Sequence, residues 1–407
     1  MTFMHIGKNF VPPDVEGKVT GEAKYVEDFK PEGLVYARLL TSPMPSGRVR
    51  SIDASEALRM DGVLGILTAD DLPSSSAPAE PVLASEDVTF VGQPILAVAA
   101  ISDEIADSAI DRIKVDYEYR PFVTDPLESL VEGGPNAYLD GNVLQQTNSL
   151  EDENATIRGG FGTIKWPAGE VERFRNGQEP HNVGFADGWT YGDLDAAFAE
   201  STAIVEESFV VAGTPHHCME PRSSMAYWQN GKCYFYASTQ SQSAVVEPLA
   251  ELLGIAPENL CMISENTGGG FGSKGRSYPT MAVTGRFSQL LNRPVQLRIT
   301  REEEYYLGVG RPGMQGWVKT GVRADGTVAA VDLIIISDGG PTGRNSASSS
   351  AQHISVVYTP TAMRLRNIPV FTNTTPRGAQ RGPGQNEMSA AIAPIMDKAA
   401  RQLGVDR

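Results

Sequence analysis

The chain has 407 residues, and its 34 Lys and Arg against 50 Asp and Glu give a formal net charge of −16. At roughly 150 residues per domain, this length predicts two or three domains with ordinary apolar cores. The acidic balance argues against a nucleic-acid partner, because binding nucleic acid requires a basic surface. Three scattered cysteines, Cys218, Cys233 and Cys261, are too few for a disulfide framework or a four-cysteine metal site.

The N-terminal sequence and the hydropathy pattern indicate where the protein resides. The first residues, MTFMHIGKNFVPP, lack the basic start and the apolar run of a signal peptide. The sequence contains no apolar stretch of the roughly 18 residues that a membrane span requires. Free thiols are typical of a reducing compartment. We therefore expect a cytoplasmic protein without a membrane span.

Residues 1–143 are predicted as a small α/β domain. Apolar runs and alternating patterns predict strands in four regions, at 33–42, 63–72, 88–102 and 113–122. The region 88–102 contains a central Gly-Gln-Pro, so it is predicted as two strands joined by a tight turn. Helical spacing of apolar residues predicts a helix over 103–113.

Residues 144–188 show no sustained period and are predicted as a linker or an excursion over a surface. Residues 189–407 are predicted as a larger α+β domain. Two hairpins are expected in it, with turns at Asn230-Gly231 and at Asp325-Gly326, since these residues tolerate positive φ. Helices are predicted at 193–201, 243–254, 279–291 and 386–404. The strands predicted outside the hairpins lie at 203–212, 260–265, 295–300 and 368–373.

The sharpest local feature is the segment Thr267-Gly-Gly-Gly-Phe-Gly-Ser-Lys274, between a predicted strand and a predicted helix. Its glycines let the backbone approach a ligand, and consecutive amide N–H groups can form an anion-binding nest. A phosphate, a pterin or a metal-oxo oxygen would suit this nest, and a flexible turn is the alternative interpretation. Lys274 is followed by Gly275, so the segment is not a nucleotide-binding P-loop.

Two further segments are candidates for the same site. In residues 376–384, Arg377 and Arg381 are fixed cations in front of the positive N-terminus of a predicted helix. This arrangement suits an anionic or oxo-bearing cofactor, although a solvated basic loop has the same pattern. Residues 238–242 end a strand and begin a helix, and locally Gln240 is an ordinary polar position.

Other polar groups favour structural roles. His216, His217 and Cys218 resemble a metal-ligand cluster, but adjacent strand residues point to opposite faces and no second cluster completes a coordination shell. Glu220 could act as a base, but a carboxylate that holds a loop is the favoured interpretation. The acidic run 301–306 is predicted to begin a helix, where the dipole favours acids.

In order along the chain, these segments resemble the molybdopterin-binding subunit of the xanthine dehydrogenase/aldehyde oxidase family of molybdenum hydroxylases. Gln240 precedes Phe271 by 31 residues, a spacing that suits the family. The matching segments are IGKNFVPPDVEGKVTGEAKYVEDF (6–29), FVGQPILAVAA (90–100), VDYEYRPFVTDP (115–126), HHCMEPRSSMAYW (216–228), STQ (238–240), GGGFGSK (268–274) and RGAQRGPG (377–384). The resemblance implies a hammerhead-like N-terminal domain followed by a mixed α+β molybdopterin-binding domain.

The resemblance also implies a cofactor and roles for residues. The cofactor would be molybdenum held by a molybdopterin, commonly as the cytosine dinucleotide. The Gln240 side chain and the Phe271 amide would approach the oxo ligands, and Arg381 would lie beside them, so Gln240 and Arg381 are the predicted catalytic residues. The predicted cofactor-binding set is Gln240, Gly269, Gly270, Phe271, Gly272 and Arg381. No side chain is predicted as a direct metal ligand.

Departures from the family pattern narrow the expected function. The chain resembles the N-terminal half of a split large subunit, as in nicotinate dehydrogenase-like enzymes, so a partner chain would carry the catalytic glutamate. A ferredoxin-like [2Fe–2S] subunit and an FAD subunit would accept electrons. Gly275 and Pro383 replace an acid and a stacking Phe of purine hydroxylases, which disfavours a purine. Residues 377–384 contain no Cys, which disfavours the copper-containing carbon monoxide dehydrogenases.

The expected substrate is therefore a small N-heterocycle, aldehyde or alicyclic ketone, hydroxylated with oxygen from water. Two alternatives stay open at this point. The first keeps the cofactor but adds water across an activated double bond, without net oxidation. The second is a non-catalytic scaffold subunit of such a complex.

Overall fold

The structure is a computed structural model and describes residues 4–73, 81–145 and 160–406. The helices of these ranges are α1 (Val15–Thr20), α2 (Asp103–Ile110), α3 (Pro126–Leu130), α4 (Ala168–Arg175), α5 (Leu194–Ala199), α6 (Ser243–Leu253), α7 (Met281–Leu291), α8 (Arg301–Leu307), α9 (Ala347–Tyr358) and α10 (Gln385–Leu403). The first strands are β1 (Val35–Thr41), β2 (Gly47–Asp53), β3 (Val63–Leu67), β4 (Asp87–Val88), β5 (Pro94–Ala100), β6 (Lys114–Tyr119), β7 (Val143–Gln145), β8 (Gly160–Gly162) and β9 (Asp187–Tyr191). The later strands are β10 (Ala203–Val211), β11 (Ser224–Gln229), β12 (Lys232–Ala237), β13 (Leu260–Ile263), β14 (Val295–Leu297), β15 (Met314–Val322), β16 (Val328–Asp338) and β17 (Ala362–Val370).

The first large sheet has the strand order β13-β12-β11-β14-β1-β5-β3. Its centre is a parallel pair in which Val35 of β1 lies opposite Val295 of β14. Every residue of β5 is buried, which is typical of a strand covered on both faces. The sheet therefore combines strands from both of the predicted domains.

The second large sheet has the order β10-β15-β16-β17-β7-β8, and β9 also pairs with β17. All eleven residues of β16 are buried, because its two faces pack on different layers. Leu333 and Ile335 belong to a core with α9 and α10, whereas Ile334 and Ile336 pack in a core with Trp166. This alternation is the period-2 pattern of a strand between two apolar layers.

A small third sheet contains the first of the two strands predicted within residues 88–102. The two strands do not pair with each other, because β4 pairs with β2 while β5 lies in the first large sheet. Between them, the Thr89 N–H donates to Gln93 Oε1 at 2.7 Å, and Gly92 has a φ of +87°. The tight turn thus directs the chain from one sheet to another.

Both predicted hairpins are confirmed. Asn230 and Gly231 have φ values of +51° and +75° between β11 and β12. At the second turn, Asp325 Oδ1 accepts a hydrogen bond from the Thr327 N–H at 3.0 Å, between β15 and β16. Helix α8 begins at the predicted acidic run, with Thr300 as its N-terminal cap.

The domain boundaries stay predictions, but part of the predicted linker has defined structure. Residues 146–159 of it lie outside the described ranges. In residues 160–188 the chain forms β8, α4 and the first residues of β9, and Trp166 and Phe174 are at most 2% exposed. Aromatic residues at irregular spacing formed this part of the core, so a search for periodicity missed it.

The mixed α+β class predicted from the sequence is confirmed by this architecture. Within the described ranges, no helix combines the length and the apolar character that crossing a bilayer would require.

Candidate functional site

Three loops that are distant in the sequence meet at one edge of the first sheet. Residues 238–242 follow β12, and residues 267–274 follow β13, its parallel neighbour. Because parallel neighbours end on the same side of a sheet, their following loops leave it together. Residues 376–384, between β17 and α10, reach the same place from the second sheet.

Hydrogen bonds donated by backbone N–H groups join the three loops. The Gly272 N–H donates to Gln240 Oε1 at 2.8 Å, and the Gln240 N–H donates to the Lys274 carbonyl at 2.9 Å. The Arg381 N–H donates to the Phe271 carbonyl at 2.6 Å. The structure therefore brings together every residue of the predicted cofactor-binding set, although their roles stay predictions.

Residues 267–274, called the middle loop below, present backbone N–H groups that have no acceptor among the described residues. Among the described residues, none accepts a hydrogen bond from the N–H groups of Gly269, Gly270 or Phe271. Gly269 has a φ of +99° and Phe271 a φ of +51°, so the backbone turns sharply here. Successive amides in such a turn form an anion-binding concavity.

Two side chains add further donors. Because Gln240 Oε1 already accepts from a backbone N–H, its amide nitrogen is left to donate to a ligand. Arg381 is exposed, and its guanidinium forms no hydrogen bond or ion pair with any described residue. Together with the loop amides, these groups offer one fixed positive charge and several N–H donors.

The loops leave no room for side chains at two glycines. A Cβ at position 270 would lie 2.4 Å from Gln240 Oε1 and 2.5 Å from Gln240 Cγ. A Cβ at position 272 would lie 2.8 Å from the Ala379 carbonyl oxygen. Such separations are shorter than carbon–oxygen and carbon–carbon contacts allow. The glycines therefore permit the close approach of the loops.

Buried charges beneath the loops hold them in place. Glu220 Oε2 accepts from the Gly268 N–H and from Ser238 Oγ, each at 2.6 Å, so Glu220 anchors the middle loop. Lys274 is fully buried and donates to the Glu220 carbonyl at 2.6 Å and to Ser238 Oγ at 2.8 Å. Burial lowers the pKa of Lys274, while the charge of Glu220 partly opposes this shift.

A second buried network was missed by sequence reasoning. Arg222 donates to both carboxylate oxygens of Glu304 and, at 2.7 Å, to Ser273 Oγ of the middle loop. His216 Nδ1 accepts from the Cys218 N–H, so His216 Nε2 carries the proton that faces Glu304 Oε1 at 3.1 Å. Burial opposes ionisation of Glu304, but the hydrogen bond from His216 and the charge of Arg222 lower its pKa to about 2.

The third loop is held by a residue that carried no sequence signal. Arg311 donates to the Arg381 carbonyl at 2.6 Å and to Glu387 Oε2 at 2.6 Å. By contrast, Arg377 is paired with Asp338, with Nε 3.1 Å from Oδ2. Of the two arginines of this loop, Arg377 is therefore occupied by an ion pair with a buried carboxylate.

A cavity of about 310 Å³ opens beside the loops. Its wall includes Gly272 and Ala379 of two of the loops, and apolar side chains such as Phe90 and Val309. A small organic molecule in this cavity would therefore contact two of the three loops. The described residues include no cluster of three or more His, Cys, Asp or Glu side chains that could hold a metal ion directly. The free backbone amides, Gln240 and Arg381 are donors whose chemistry suits an anionic or oxo-bearing group.

Comparison with known proteins shows the family of the chain. Residues 175–407 match the family described as "Molybdopterin cofactor-binding domain". Residues 20–121 match the family "Aldehyde oxidase and xanthine dehydrogenase, a/b hammerhead domain". The first match covers more than half of the chain, so the chain belongs to the molybdopterin-binding subunits of the xanthine dehydrogenase/aldehyde oxidase family. The hammerhead-like N-terminal domain and the larger molybdopterin-binding domain are thereby confirmed.

Individual relatives agree with this assignment. The chain is 29% identical to a probable xanthine dehydrogenase subunit of Bacillus subtilis (strain 168), and the match covers 97% of the chain and 49% of that relative. It is 27% identical to "Nicotinate dehydrogenase large molybdopterin subunit" of Eubacterium barkeri, over 98% of the chain and 87% of that relative. The chain thus spans about half the length of the first relative and most of the second.

A solved structure shows the same fold. Quinoline 2-oxidoreductase from Pseudomonas putida 86 superimposes with a TM-score of 0.78 at 23% sequence identity, covering 98% of this chain and 49% of that one. The family to which the chain belongs consists of molybdenum hydroxylases.

Proposed function

We propose that the chain is part of a molybdenum hydroxylase or dehydrogenase that oxidises an electrophilic carbon of an N-heterocycle, an aldehyde or an alicyclic ketone. In the balanced reaction, a C–H bond and water give a C–OH bond, two protons and two electrons. The electrons would pass to a [2Fe–2S] subunit and then to an FAD subunit. The convergence of Gln240, Phe271 and Arg381 in one site is the observation that carries this proposal.

The residues at the site fit the proposed cofactor, molybdopterin cytosine dinucleotide with molybdenum. When bound, this group supplies a two-electron acceptor and an oxygen derived from water. The amides of Gly269, Gly270 and Phe271, together with the Gln240 side-chain amide, would donate hydrogen bonds to its oxygens. The Arg381 guanidinium would stabilise negative charge that develops there during the reaction.

A proton must leave during hydroxylation, and the described residues offer no free carboxylate for that task at the site. Among the described residues, no Asp or Glu lines the cavity. Glu220 and Glu304 lie nearby, but each is already occupied in holding loops. We therefore propose that a second molybdopterin-subunit half carries the catalytic glutamate, in a cytoplasmic complex.

Metal and pterin analysis of the purified complex tests the proposal. We expect molybdenum and an extractable pterin with a cytosine nucleotide, in amounts that follow the amount of this chain. Absence of both would refute the assignment. The variants Gln240→Ala and Arg381→Ala should lower turnover strongly, whereas unchanged turnover would indicate a scaffold subunit.

Anaerobic turnover separates hydroxylation from water addition. Without an external electron acceptor, a hydroxylase stops after the few cycles that fill its own redox centres, because further electrons have no exit. Sustained turnover under these conditions would instead identify the redox-neutral hydratase.

A further inference from the structure

We propose that the substrate is an aromatic carboxylate and that Arg276 binds its carboxylate group at the cavity. This inference rests on the proposed function, because it concerns the substrate of the same site. Arg276 follows the middle loop and lines the cavity beside Gly272 and Ala379. It would act as a specificity-determining residue, separate from the groups that hold the cofactor.

The charges around the cavity favour an anionic ligand. Three arginines line it, Arg222, Arg276 and Arg344, and no described Asp or Glu does. This imbalance stands out in a chain whose net charge is −16. A pocket lined by charge of one sign concentrates ligands of the opposite sign.

Of the three arginines, Arg276 is the one available to a ligand. Arg222 is fully occupied by Glu304 and Ser273. Arg344 has a partner within the protein. Arg276 is exposed and forms no hydrogen bond or ion pair with any described residue. Its planar guanidinium matches the geometry of a carboxylate, which it can bind through two parallel hydrogen bonds.

The preceding residue leaves the charge of Arg276 uncompensated. Position 275 is a glycine, although its backbone does not have a positive φ. A Cβ at this position would meet only the Gly272 carbonyl oxygen, at 3.3 Å. A side chain at position 275 would require this carbonyl to shift by a few tenths of an ångström, and the absence of an acid there leaves Arg276 without a neighbouring negative charge.

The remaining wall fits a flat ring with polar substituents. Val82, Phe90 and Leu307 supply apolar surface, and a cavity of about 310 Å³ accommodates a small ring system. Three lining residues, Tyr278, Thr280 and Thr342, have buried hydroxyl groups without a hydrogen-bond partner. Rotation about the Cα–Cβ bond would turn a threonine hydroxyl toward ligand oxygens, which supply the missing acceptors.

Binding of benzoate and its neutral isostere benzamide to the purified complex tests the inference by calorimetry. We expect benzoate to bind more tightly than benzamide, and increasing salt to weaken benzoate binding only. In Arg276→Gln, benzoate should bind about tenfold more weakly, as expected for one lost charge-assisted contact, while benzamide binding stays the same. Arg276→Lys should recover part of the loss, because it keeps the charge.

A second variant adds a negative charge next to Arg276. Gly275→Glu places an acid beside Arg276 and should weaken benzoate binding in the same way, without removing the arginine. Arg112→Gln is the matched control, since Arg112 is an exposed arginine of the N-terminal domain that does not line the cavity. It should leave both affinities unchanged.

Equal affinities for benzoate and benzamide in the natural protein would overturn the inference, as would an unchanged benzoate affinity in both variants. Thermal unfolding checks that each variant is folded. Failure of the proposed function is a separate result, because it is read from the molybdenum and pterin content rather than from the preference between the two ligands.

Discussion

Position 270 must be glycine because the Gln240 side chain occupies the space where a Cβ would lie. In Gly270→Ala, the added methyl group would overlap Gln240 Cγ as well as its tip, so the whole side chain must move. Displacing a cofactor-binding group by about 1 Å can cost roughly 100-fold in rate. We expect bound molybdenum and turnover to fall while the unfolding temperature changes little, measured by metal analysis, steady-state kinetics and calorimetry.

Gly65→Ala provides the control for that substitution. Gly65 lies in β3, has no positive φ, and a Cβ there would meet nothing within 4 Å. Its molybdenum content and turnover should equal those of the natural chain. Normal molybdenum content and turnover in Gly270→Ala would contradict the role assigned to this contact.

The buried pair of Glu304 and Arg222 predicts a defined dependence of stability on pH. Glu304 has a pKa of about 2 in the folded protein, below the ordinary 4.5. A depressed carboxyl pKa contributes stability that is complete above the unfolded pKa and is lost as the pH falls through the folded pKa. We expect Glu304→Gln to destabilise the protein by about 3 kcal/mol at neutral pH, since Arg222 is left buried and unpaired.

The test is urea unfolding of both proteins at several pH values. The difference in unfolding free energy between them should shrink as the pH falls from 4.5 towards 2, where the natural Glu304 also becomes neutral. Glu302→Gln, an exposed position of the same helix, should show a small difference at every pH. If the difference in unfolding free energy for Glu304→Gln does not vary with pH, the ionised form of Glu304 is not the source of the stability.

Individual residues of the site differ in how far the sequence could predict them. The glycine loop is a local pattern, and its unpartnered amides follow from that pattern. Gln240 has no local signal, because its importance arises from a loop that follows a neighbouring parallel strand. Arg222 and Glu304 lie 82 positions apart, and only the fold shows that each neutralises the other.

At the level of elements, the two ends of α10 allow a matched prediction. Gly384 and Gly404 both have positive φ, +79° and +69°. At Gly404 a Cβ would meet nothing within 4 Å, whereas at Gly384 it would lie 2.6 Å from the Ser350 backbone nitrogen in α9. Gly404→Ala should therefore lower the free energy of unfolding by only about 1 kcal/mol, which is the cost of holding an alanine in the left-handed conformation.

Gly384→Ala should lower the free energy of unfolding by at least about 2 kcal/mol more than Gly404→Ala, because α9 and α10 must move apart to make room for the methyl group. It should also weaken cofactor binding, since the loop carrying Arg381 ends at Gly384. Chemical unfolding of the two variants measures the first effect, and molybdenum content measures the second. Equal destabilisation of both variants would show that the contact with α9 carries no energy.

Elements defined by local sequence were predicted well, whereas those defined by distant partners were not. The hairpin turns at Asn230 and Asp325 depend on residues within the turn itself. The helix α9 was missed because its segment SASSSA has little apolar character. Small residues are needed there, since Ala347, Ser350 and Ala351 are buried where α10 approaches closely.

At the level of the whole molecule, the first sheet contains strands from both predicted domains. The pairing of β1 with β14 is parallel and joins residues 260 positions apart in the sequence. No turn encodes such a pairing, and short strands such as β14 carry little pattern of their own. Sequence reasoning therefore could not predict that strands of the two predicted domains share one sheet.

A charge cluster next to this pairing tests whether the sheet unfolds as one unit. Asp103 accepts two hydrogen bonds from Arg38 of β1, at 2.7 and 2.8 Å, and one from Arg298, which follows β14, at 2.8 Å. Asp103→Asn leaves Arg38 largely buried beside a neutral partner and should cost about 2 kcal/mol. Because the cluster ties both parts together, we expect hydrogen exchange in β1 and in β14 to accelerate by the same factor.

Asp107→Asn, at an exposed position of the same helix, should leave exchange in both strands unchanged. Faster exchange confined to β1 in Asp103→Asn would mean that the N-terminal strands open separately from the rest of the sheet. In that case the loops after β12 and β13 would keep their places without the N-terminal domain. Acceleration in both strands would instead mean that the geometry around Gln240 and Phe271 depends on residues of the first domain, because the same sheet supports all of them.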